Sequence, residues 1–474
     1  MPNLRVWERY PQTYRADEMR LLTRWIATCE SGTVIGLPGC GRSTLLNFLC
    51  HRPDIVQGYL PPETGTIILV PIDLNHLPSH DPITLYLVIL RAIYWVRHRF
   101  PSHLQETIVA FYQEYRPTQS PFLAQSGLHE LLFALQEKEV QLVLALNHFD
   151  RFTQSTRPQT LDTLRGLRDS FRDTLCFIAG MTQEAAYLSD AKGFTDTFSG
   201  LLLYQICWVG AMNEADARWV INQTTYSAPQ SPTTAEVQTM LTLSGGFPSL
   251  LRAIGLWWLN QSDKPSLTDW HKILITEPVV EQQLTKLWHG LTQIEQFTLA
   301  TIHKRQQPSK HKKSGSKGTS LLEIERDATL RRLAEKGLCF KRGPGWQMRG
   351  KLLAAYIEMM GPVSRGGLRL DSVTNELFQG ETLVTNLTPQ ERTLLSFMLQ
   401  HEAHKEHEYE TLLNEVWTLD EQYDKTIMVN NVQQLVSGLR KKIEEDSSNP
   451  RFIISWGRHP RGGYKLYPEG RPEQ

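Results

Sequence analysis

The segment GLPGCGRSTLL, from Gly36 to Leu46, constrains the fold more than any other part of the chain. It follows a short apolar run, Thr33 to Ile35, and leads into an apolar helical pattern that begins at Ser43. Glycines between a strand and a helix let backbone N–H groups converge, and the helix N-terminus adds partial positive charge. This context predicts a phosphate-binding loop built on Gly36, Gly39 and Gly41.

The polar residues of this loop predict that it binds a nucleotide rather than hydrolysing one rapidly. Arg42 stands where such a loop usually has a lysine, and it keeps the charge but not the compact ammonium group. Ser43 is placed to ligate Mg²⁺, with Thr44 beside it. The alternative is a glycine-rich turn that binds no ligand.

A second part of the site is predicted at LVLALNHFDRF, where an apolar strand from Leu142 to Leu146 precedes polar residues. A carboxylate is expected here to complete the magnesium shell, but Asn147 adds no charge and His148 is a poor base beside a cation. Asp150 follows and partly substitutes. These three residues form a degenerate catalytic motif, so no catalytic residue is assigned and the hydrolytic activity stays open. The alternative for His148 is a histidine of a surface loop without a role in the site. Thr182, which follows the predicted strand Leu175 to Ala179, is a candidate sensor of the γ-phosphate.

Composition limits the class of protein. The chain has 474 residues and is 41% apolar, which is typical of several globular domains. Its 50 basic residues balance 50 acidic ones, so a nucleic-acid partner has to be recognised by a local patch rather than by net charge. Six scattered cysteines favour reduced thiols over a zinc site, and no signal sequence or membrane span is evident. We expect a cytoplasmic protein without a membrane partner.

Hydrophobic periodicity predicts a multidomain fold of mixed α/β and α+β class. Short apolar runs separated by helical patterns indicate a parallel sheet with helices on both faces. The predicted strands are Thr33 to Ile35, Thr66 to Pro71, Gln141 to Leu146, Leu175 to Ala179 and Leu202 to Trp208. The predicted domains are a nucleotide-binding domain at 1–210, a helical lid at 211–278, a winged helix at 279–361 and a second winged helix at 366–474.

The first winged helix contains a run of basic residues without acidic neighbours. This run predicts a flexible basic loop. Its members are Lys304, Arg305, Lys310, Lys312, Lys313 and Lys317.

The N-terminal motifs resemble those of the AAA+/STAND ATPases. The matching segments are YRADEMRLL, GLPGCGRSTLL, LVLALNHFD and SGGFPSLLRAIG, which span roughly residues 10 to 275. The resemblance implies a P-loop ATPase core that binds ATP or ADP with Mg²⁺, and a switch that changes shape or forms oligomers with the bound nucleotide. It also implies that Arg15 frames the adenine pocket, that Pro248 packs near the base, and that Arg252 approaches the phosphates. A helix break without a ligand is the alternative for the last segment.

The last hundred residues resemble the OmpR-type winged helix, the DNA-binding effector of response regulators. The matching segments are LTPQERTLLSFMLQ, TLLNEVW, VNNVQQLVSGLRKKIE and FIISWGRHPRGGYKLY. In the third, an apolar stripe at helical spacing leaves a polar face for base edges and phosphates, and the last segment supplies a basic wing. The predicted DNA-binding residues are Asn430, Gln433, Gln434, Ser437, Arg440, Lys441, Arg458, Arg461 and Lys465.

Three functions are compatible with these patterns. The leading hypothesis is a nucleotide-controlled transcriptional or signalling regulator that binds double-stranded DNA, with weak or no ATP hydrolysis. The second is a STAND-type defence or scaffold component whose winged helices bind a partner protein. A third is an active DNA-remodelling ATPase, which the degenerate motif disfavours.

Overall fold

The structure is a computed structural model. It describes residues 4–184, 196–261, 263–306, 321–343, 345–360, 366–371, 376–380, 382–384, 386–401, 405–417, 425–444, 446–458 and 461–471. The chain forms two compact units. The first comprises residues 1–290, 335–338 and 349–355, and the second comprises residues 291–334, 339–348 and 356–474. The division into four domains stays a prediction.

A five-stranded parallel sheet organises the first unit. Its strands are β1 Gly32–Ile35, β2 Thr66–Asp73, β3 Val140–Asn147, β4 Leu175–Met181 and β5 Ile206–Trp208. They lie in the order β2-β3-β4-β1-β5, and every residue of β1 and β4 is buried. A parallel sheet buried on both faces produces continuous apolar runs, which is why these strands were predictable. The fifth prediction is wrong in its first part, because Leu202 ends a helix rather than beginning a strand.

Helices connect the strands. They are α1 Leu4–Glu8, α2 Ala16–Ala27, α3 Arg42–His51, α4 Pro53–Tyr59, α5 Pro82–Trp95, α6 Ser102–Tyr115, α7 Pro121–Glu137, α8 Phe149–Ser155, α9 Pro158–Ser170 and α10 Asp196–Leu202. Short 3₁₀ turns lie at Leu74–His76 and Arg97–Arg99. Proline opens several of these helices after a capping side chain; Asp81 accepts a hydrogen bond from Thr84 N and Ser120 accepts one from Leu123 N. A core of aliphatic and aromatic side chains fills the space between β2, β3, β4 and the helices α5 to α10.

The described residues from 209 to 290 form helices and the loops between them. The helices are α11 Glu214–Thr224, α12 Thr234–Ser244, α13 Pro248–Leu259, α14 Trp270–Leu274 and α15 Pro278–His289. The predicted cap at Asn213 is confirmed, since its side chain accepts a hydrogen bond from Asp216 N. The predicted break is also confirmed: Gly245 ends α12 in the left-handed region and Pro248 opens α13.

Residues 293–360 contain the helices α16 Gln293–Gln306, α17 Leu321–Glu335 and α18 Lys351–Met360, with the hairpin β6 Cys339–Arg342 and β7 Gly345–Met348. The predicted hairpin and final helix are confirmed. The prediction of a flexible basic loop is wrong at its start, because Lys304 and Arg305 belong to the last turn of α16. Positively charged side chains at this position interact favourably with the helix dipole. Lys310, Lys312, Lys313 and Lys317 lie outside the described residues.

The C-terminal part of the second unit has two three-stranded sheets around three helices. Its strands are β8 Leu368–Leu370, β9 Leu377–Gln379, β10 Thr382–Leu383, β11 Glu406–Glu408, β12 Ile453–Arg458 and β13 Arg461–Leu466. Its helices are α19 Pro389–Gln400, α20 Tyr409–Val416 and α21 Lys425–Ile443. One apolar core joins them. This sequence of elements agrees with the predicted winged helix.

The chain lacks a long apolar helix of the kind that crosses a membrane, within the residues described.

Candidate functional site

The glycine-rich loop connects β1 to α3 and adopts a backbone that requires glycine. Gly39 and Gly41 have φ angles of 87° and 93°, in the left-handed region that side chains disfavour. A Cβ atom at Gly39 would also lie 2.9 Å from Ser249 Cβ. The loop therefore passes against the start of α13, and the α3 N-terminus opens at the same place.

A cavity of about 290 Å³ lies over this loop. The structure brings ten of the predicted residues to its wall: Gly36, Gly39, Gly41, Arg42, Ser43, Thr44, His148, Thr182, Pro248 and Arg252. Three predicted residues, Arg15, Asn147 and Asp150, do not line it and act behind the wall. All of these residues belong to the first unit.

Sequence reasoning missed several residues of this wall. Tyr14, Arg151 and Ser249 line the cavity together with Leu37 and Pro38. The Ser249 hydroxyl is buried without a hydrogen-bond partner, and the Ser249 N–H donates to Gly39 O at 3.2 Å. For two of these residues, the sequence offered one indication of a place in the site, namely a predicted site residue just before them. Arg151 follows Asp150, and Ser249 follows Pro248.

Arg42 is the most unusual side chain of the site. It is only 7% exposed, and its Nε and Nη1 atoms have no hydrogen-bond partner among the described residues. Burial lowers the pKa of its guanidinium from the ordinary value, while the charge of Asp150 acts in the opposite direction. A buried guanidinium with unused donors is costly, and a bound anion would remove that cost.

Asn147 ends β3 and is bonded to the loop. Its Nδ2 atom lies 3.0 Å from Ser43 Oγ, and its Oδ1 atom lies 3.3 Å from the same hydroxyl. Ser43 is the predicted magnesium ligand, so its hydroxyl is already engaged by an uncharged amide. Magnesium in such sites is bound through one or two carboxylates as well as substrate phosphates. Among the residues that the structure describes, no Asp or Glu lines the cavity, and those present do not fit a carboxylate-held magnesium ion.

The remaining two residues of the degenerate motif have acidic or polar partners. His148, which has a left-handed backbone with φ of 60°, places Nδ1 2.9 Å from Asp73 Oδ1 at the end of β2. Asp150 is 4% exposed, and its Oδ2 atom accepts hydrogen bonds from the N–H and the hydroxyl of Thr182. His148 is therefore an oriented side chain of the cavity wall.

Arg15 connects the start of α2 to the loop. It is 2% exposed and donates to Cys40 O at 2.8 Å and to Gly210 O at 2.9 Å. Its Nη1 atom pairs with Glu18 at 2.7 Å. Arg15, which the resemblance places at the adenine pocket, thus holds the loop backbone by a hydrogen bond and does not line the cavity.

A second cavity of about 210 Å³ shares Arg252 with the first. Tyr10 and Trp219 line it, with ring centroids 4.3 Å apart. Burial raises the pKa of the Tyr10 hydroxyl, while the charge and hydrogen bond of Arg252 oppose this rise. The cavity is walled further by Val6, Arg9, Val220, Gln223 and Thr224.

These observations fit a phosphorylated ligand. The loop leads into a helix N-terminus at the cavity, a buried arginine has unused donors, and a buried hydroxyl has no hydrogen-bond partner among the described residues. The aromatic cavity next to them is suited to a flat ring.

The second candidate site is helix α21 of the C-terminal winged helix. The predicted apolar stripe is confirmed, because Val432, Val436, Leu439 and Ile443 are all fully buried. The opposite face is exposed to solvent, as expected. Its exposed residues are Asn430, Gln433, Gln434, Ser437 and Lys441.

Arg440 differs from this face. Its Nη2 atom donates to Ile453 O at 2.7 Å and to Ser455 Oγ at 2.9 Å. Its guanidinium carbon also lies 5.5 Å from the Tyr464 ring centroid. Arg440 therefore fastens α21 to the hairpin of β12 and β13.

The predicted wing is the β12–β13 hairpin. Lys465 pairs with Glu406 of β11 at 2.6 Å. The backbones of Arg458 and Arg461 lie opposite each other at the end of the ladder, and their side chains lie outside the described residues.

Residues 381–466 match the family model described as transcriptional regulatory protein, C terminal. Among solved structures, a Walker-type ATPase of Pyrococcus abyssi is similar at 15% identity and a TM-score of 0.44, over 73% of this chain and 95% of that one. The Aeropyrum pernix ORC2 protein in its ADP form is similar at 14% identity and a TM-score of 0.38, over 73% and 91%. Thermotoga maritima RuvB is similar at 11% identity and a TM-score of 0.30, over 74% and 94%. No curated protein matches the chain.

The strand order, the glycine-rich loop between β1 and α3 and the helices on both sides of the sheet make the first unit a P-loop fold. The chain thus combines a P-loop fold in its first unit with a C-terminal winged helix that matches the C-terminal domain of transcriptional regulatory proteins over residues 381–466.

Proposed function

We propose that this protein is a nucleotide-controlled regulator that binds double-stranded DNA. The single observation that carries the nucleotide part is the glycine-lined cavity at the start of α3, with the buried cation of Arg42 in its wall. The family match of residues 381–466 supports the DNA part.

In this proposal the phosphates of ATP or ADP lie over Gly39 and Gly41, within reach of Arg42 and Arg252. The base lies in the aromatic cavity beside Tyr10 and Trp219, because Arg252 is common to both cavities. Pro248 and Ser249 bring α13 against the loop, so a nucleotide would contact both the sheet and the helices that follow it. Such a contact gives the ligand different affinities for open and closed arrangements, which a switch requires.

Hydrolysis is slow or absent in this proposal. Arg42, Asn147 and His148 replace the groups that drive phosphoryl transfer in the resembled ATPases. The nucleotide then acts as a switch, and nucleotide-dependent self-association is one way to read that switch. Turnover that disappears in Ser43→Ala would instead support an active ATPase.

The DNA-binding surface is the exposed face of α21 together with the β12–β13 wing. Short polar side chains such as Asn430 and Gln434 are suited to base edges, and Lys441 to a phosphate. Arg458, Arg461 and Lys465 of the hairpin are proposed to contact the backbone or an adjacent minor groove.

Two measurements test the proposal with the full-length protein. Small molecules released from freshly purified protein should include ADP or ATP, and added ATP should change the mass of the protein in solution. Titration with double-stranded DNA across a salt series should show affinity that falls as salt rises. Absence of nucleotide, of any ATP response and of DNA binding would reject the proposal.

A protein partner is the second candidate. Four of the five exposed residues on the α21 face are uncharged, and Arg440 is occupied within the domain. A salt-independent protein partner without DNA binding would favour the STAND-type scaffold over the DNA regulator.

A further inference from the structure

Because this inference concerns the ligand of the nucleotide site, it depends on the proposed function. We propose that the site binds its nucleotide without a divalent metal ion, and that arginine side chains balance the charge of the phosphates.

Both carboxylates near the cavity already contact protein groups. Asp150 lies behind the wall and faces the charge of Arg42; its Oδ2 atom accepts two hydrogen bonds from Thr182, and its Oδ1 atom is buried without a hydrogen-bond partner among the described residues. Asp73 accepts from Asn75 N at 3.0 Å and is bonded to His148. Neither residue is part of the cavity wall, and no other acidic side chain within the described part of the chain lines it.

The hydroxyl expected to ligate magnesium is also engaged. Ser43 Oγ lies 3.0 Å from the Asn147 amide nitrogen. An amide at this position contributes no negative charge, so a divalent cation there gains its ligands from the nucleotide and water alone. The protein therefore adds little to the affinity for the metal complex over that for the free nucleotide.

Positive charge is abundant in the same wall. Arg42, Arg151 and Arg252 all line the cavity. Guanidinium groups bind phosphate oxygens through two parallel hydrogen bonds, which a lysine ammonium does not do. Three such groups take over the charge neutralisation that a metal ion provides in other phosphate sites, and each adjacent cation would raise the cost of placing Mg²⁺ there.

Affinity measured with and without metal tests the proposal. The full-length protein is titrated with ADP, and separately with ATP, by calorimetry in excess EDTA and in excess MgCl₂. We expect the dissociation constants with EDTA and with MgCl₂ to agree within about threefold. The corresponding difference in binding free energy is well below the 1.4 kcal/mol of a tenfold change. Binding that is about tenfold or more tighter with MgCl₂ overturns the inference and leaves the proposed function intact. No binding in either solution overturns both.

Variants assign the effect to residues. Arg151→Gln should weaken ADP binding in EDTA by about tenfold, as expected for a lost charge-assisted pair. Arg157→Gln is the matched control, because Arg157 is an exposed arginine that does not line the cavity. Asn147→Asp places a carboxylate beside Ser43 and should create a preference for MgCl₂ of about tenfold. Thermal melting checks that each variant is folded, and equal EDTA affinities for Arg151→Gln and wild type would overturn the role of the arginines.

Discussion

The carboxylate of Asp150 accepts hydrogen bonds from both the N–H and the hydroxyl of Thr182, which joins the first turn of α8 to the end of β4. Burial lowers the pKa of the Arg42 guanidinium, and the charge of the same carboxylate opposes that change. The pair therefore fixes the edge of the sheet where the cavity opens.

Replacing this carboxylate should destabilise the first unit. Asp150→Ala leaves the half-buried Thr182 N–H without its acceptor and removes the charge opposite the buried Arg42, so we expect the free energy of unfolding to fall by about 2–4 kcal/mol. Urea denaturation followed by tryptophan fluorescence measures it. Glu63→Ala, at an exposed loop position, is the control and should be neutral. Equal effects of the two substitutions would show that the Asp150 contacts carry no stability.

Arg15 should be needed for both stability and nucleotide binding. Arg15→Ala removes the donors to Cys40 O and Gly210 O, leaving two carbonyls without their partner. We expect a loss of about 3 kcal/mol and a weaker nucleotide complex, because the loop backbone loses its support. Arg20→Ala is the control, since Arg20 is exposed and pairs only with exposed Asp17 among the contacts observed. Normal melting and normal nucleotide affinity in Arg15→Ala would contradict this role.

Gly39 should not tolerate alanine. A Cβ atom there would lie against Ser249, and the backbone has a φ of 87°. Gly39→Ala is expected to cost about 1–2 kcal/mol in backbone strain alone and to weaken nucleotide binding. Gly58→Ala, at an exposed position of α4 with open space around the new Cβ, should stabilise the protein by up to about 1 kcal/mol. Calorimetric melting compares the two, and a harmless Gly39→Ala would argue against the close contact between the loop and α13.

Arg440 and Lys441 should behave differently although they are neighbours on α21. Arg440→Ala should lower the melting temperature of the C-terminal part, because Arg440 donates to Ile453 O and Ser455 Oγ. Lys441→Ala should leave melting unchanged, weaken DNA binding and reduce the slope of affinity against salt by about one. Fluorescence anisotropy over a salt series and thermal melting separate the two effects. A Lys441→Ala protein with unchanged affinity and slope would remove this face from the DNA interface.

The stability of the C-terminal part should decrease in acid through His407. Burial lowers the pKa of His407 below its ordinary value, and the nearby His401 and Lys405 add to the shift. The unfolded chain then binds the proton more readily than the folded one, so stability is full above the ordinary pKa and falls as the pH drops below it. His407→Phe should flatten this dependence in melting experiments between about pH 7 and pH 5. His271→Phe, at an exposed position, should not change it.

Much of the architecture was readable from local patterns. The strands β1 to β4 were predicted from continuous apolar runs. Asn213 and Pro248 predicted the starts of the helices α11 and α13. The stripe from Val432 to Ile443 gave the buried face of α21. The wrong expectations lie at Leu202 and at Lys304 and Arg305, where short apolar or basic segments have no distinctive period and the tertiary context decides.

The sequence by itself determined the glycine-rich loop between β1 and α3, because three glycines between a strand and a helix leave few other conformations. Only the tertiary structure decided what surrounds it. Asp73 reaches His148, Asp150 reaches Thr182, and Ser249 reaches Gly39 through contacts between segments far apart in the chain, which no local pattern encodes. The same is true of Arg440, whose spacing placed it near a DNA-binding face while its packing against β12 gives it a structural role.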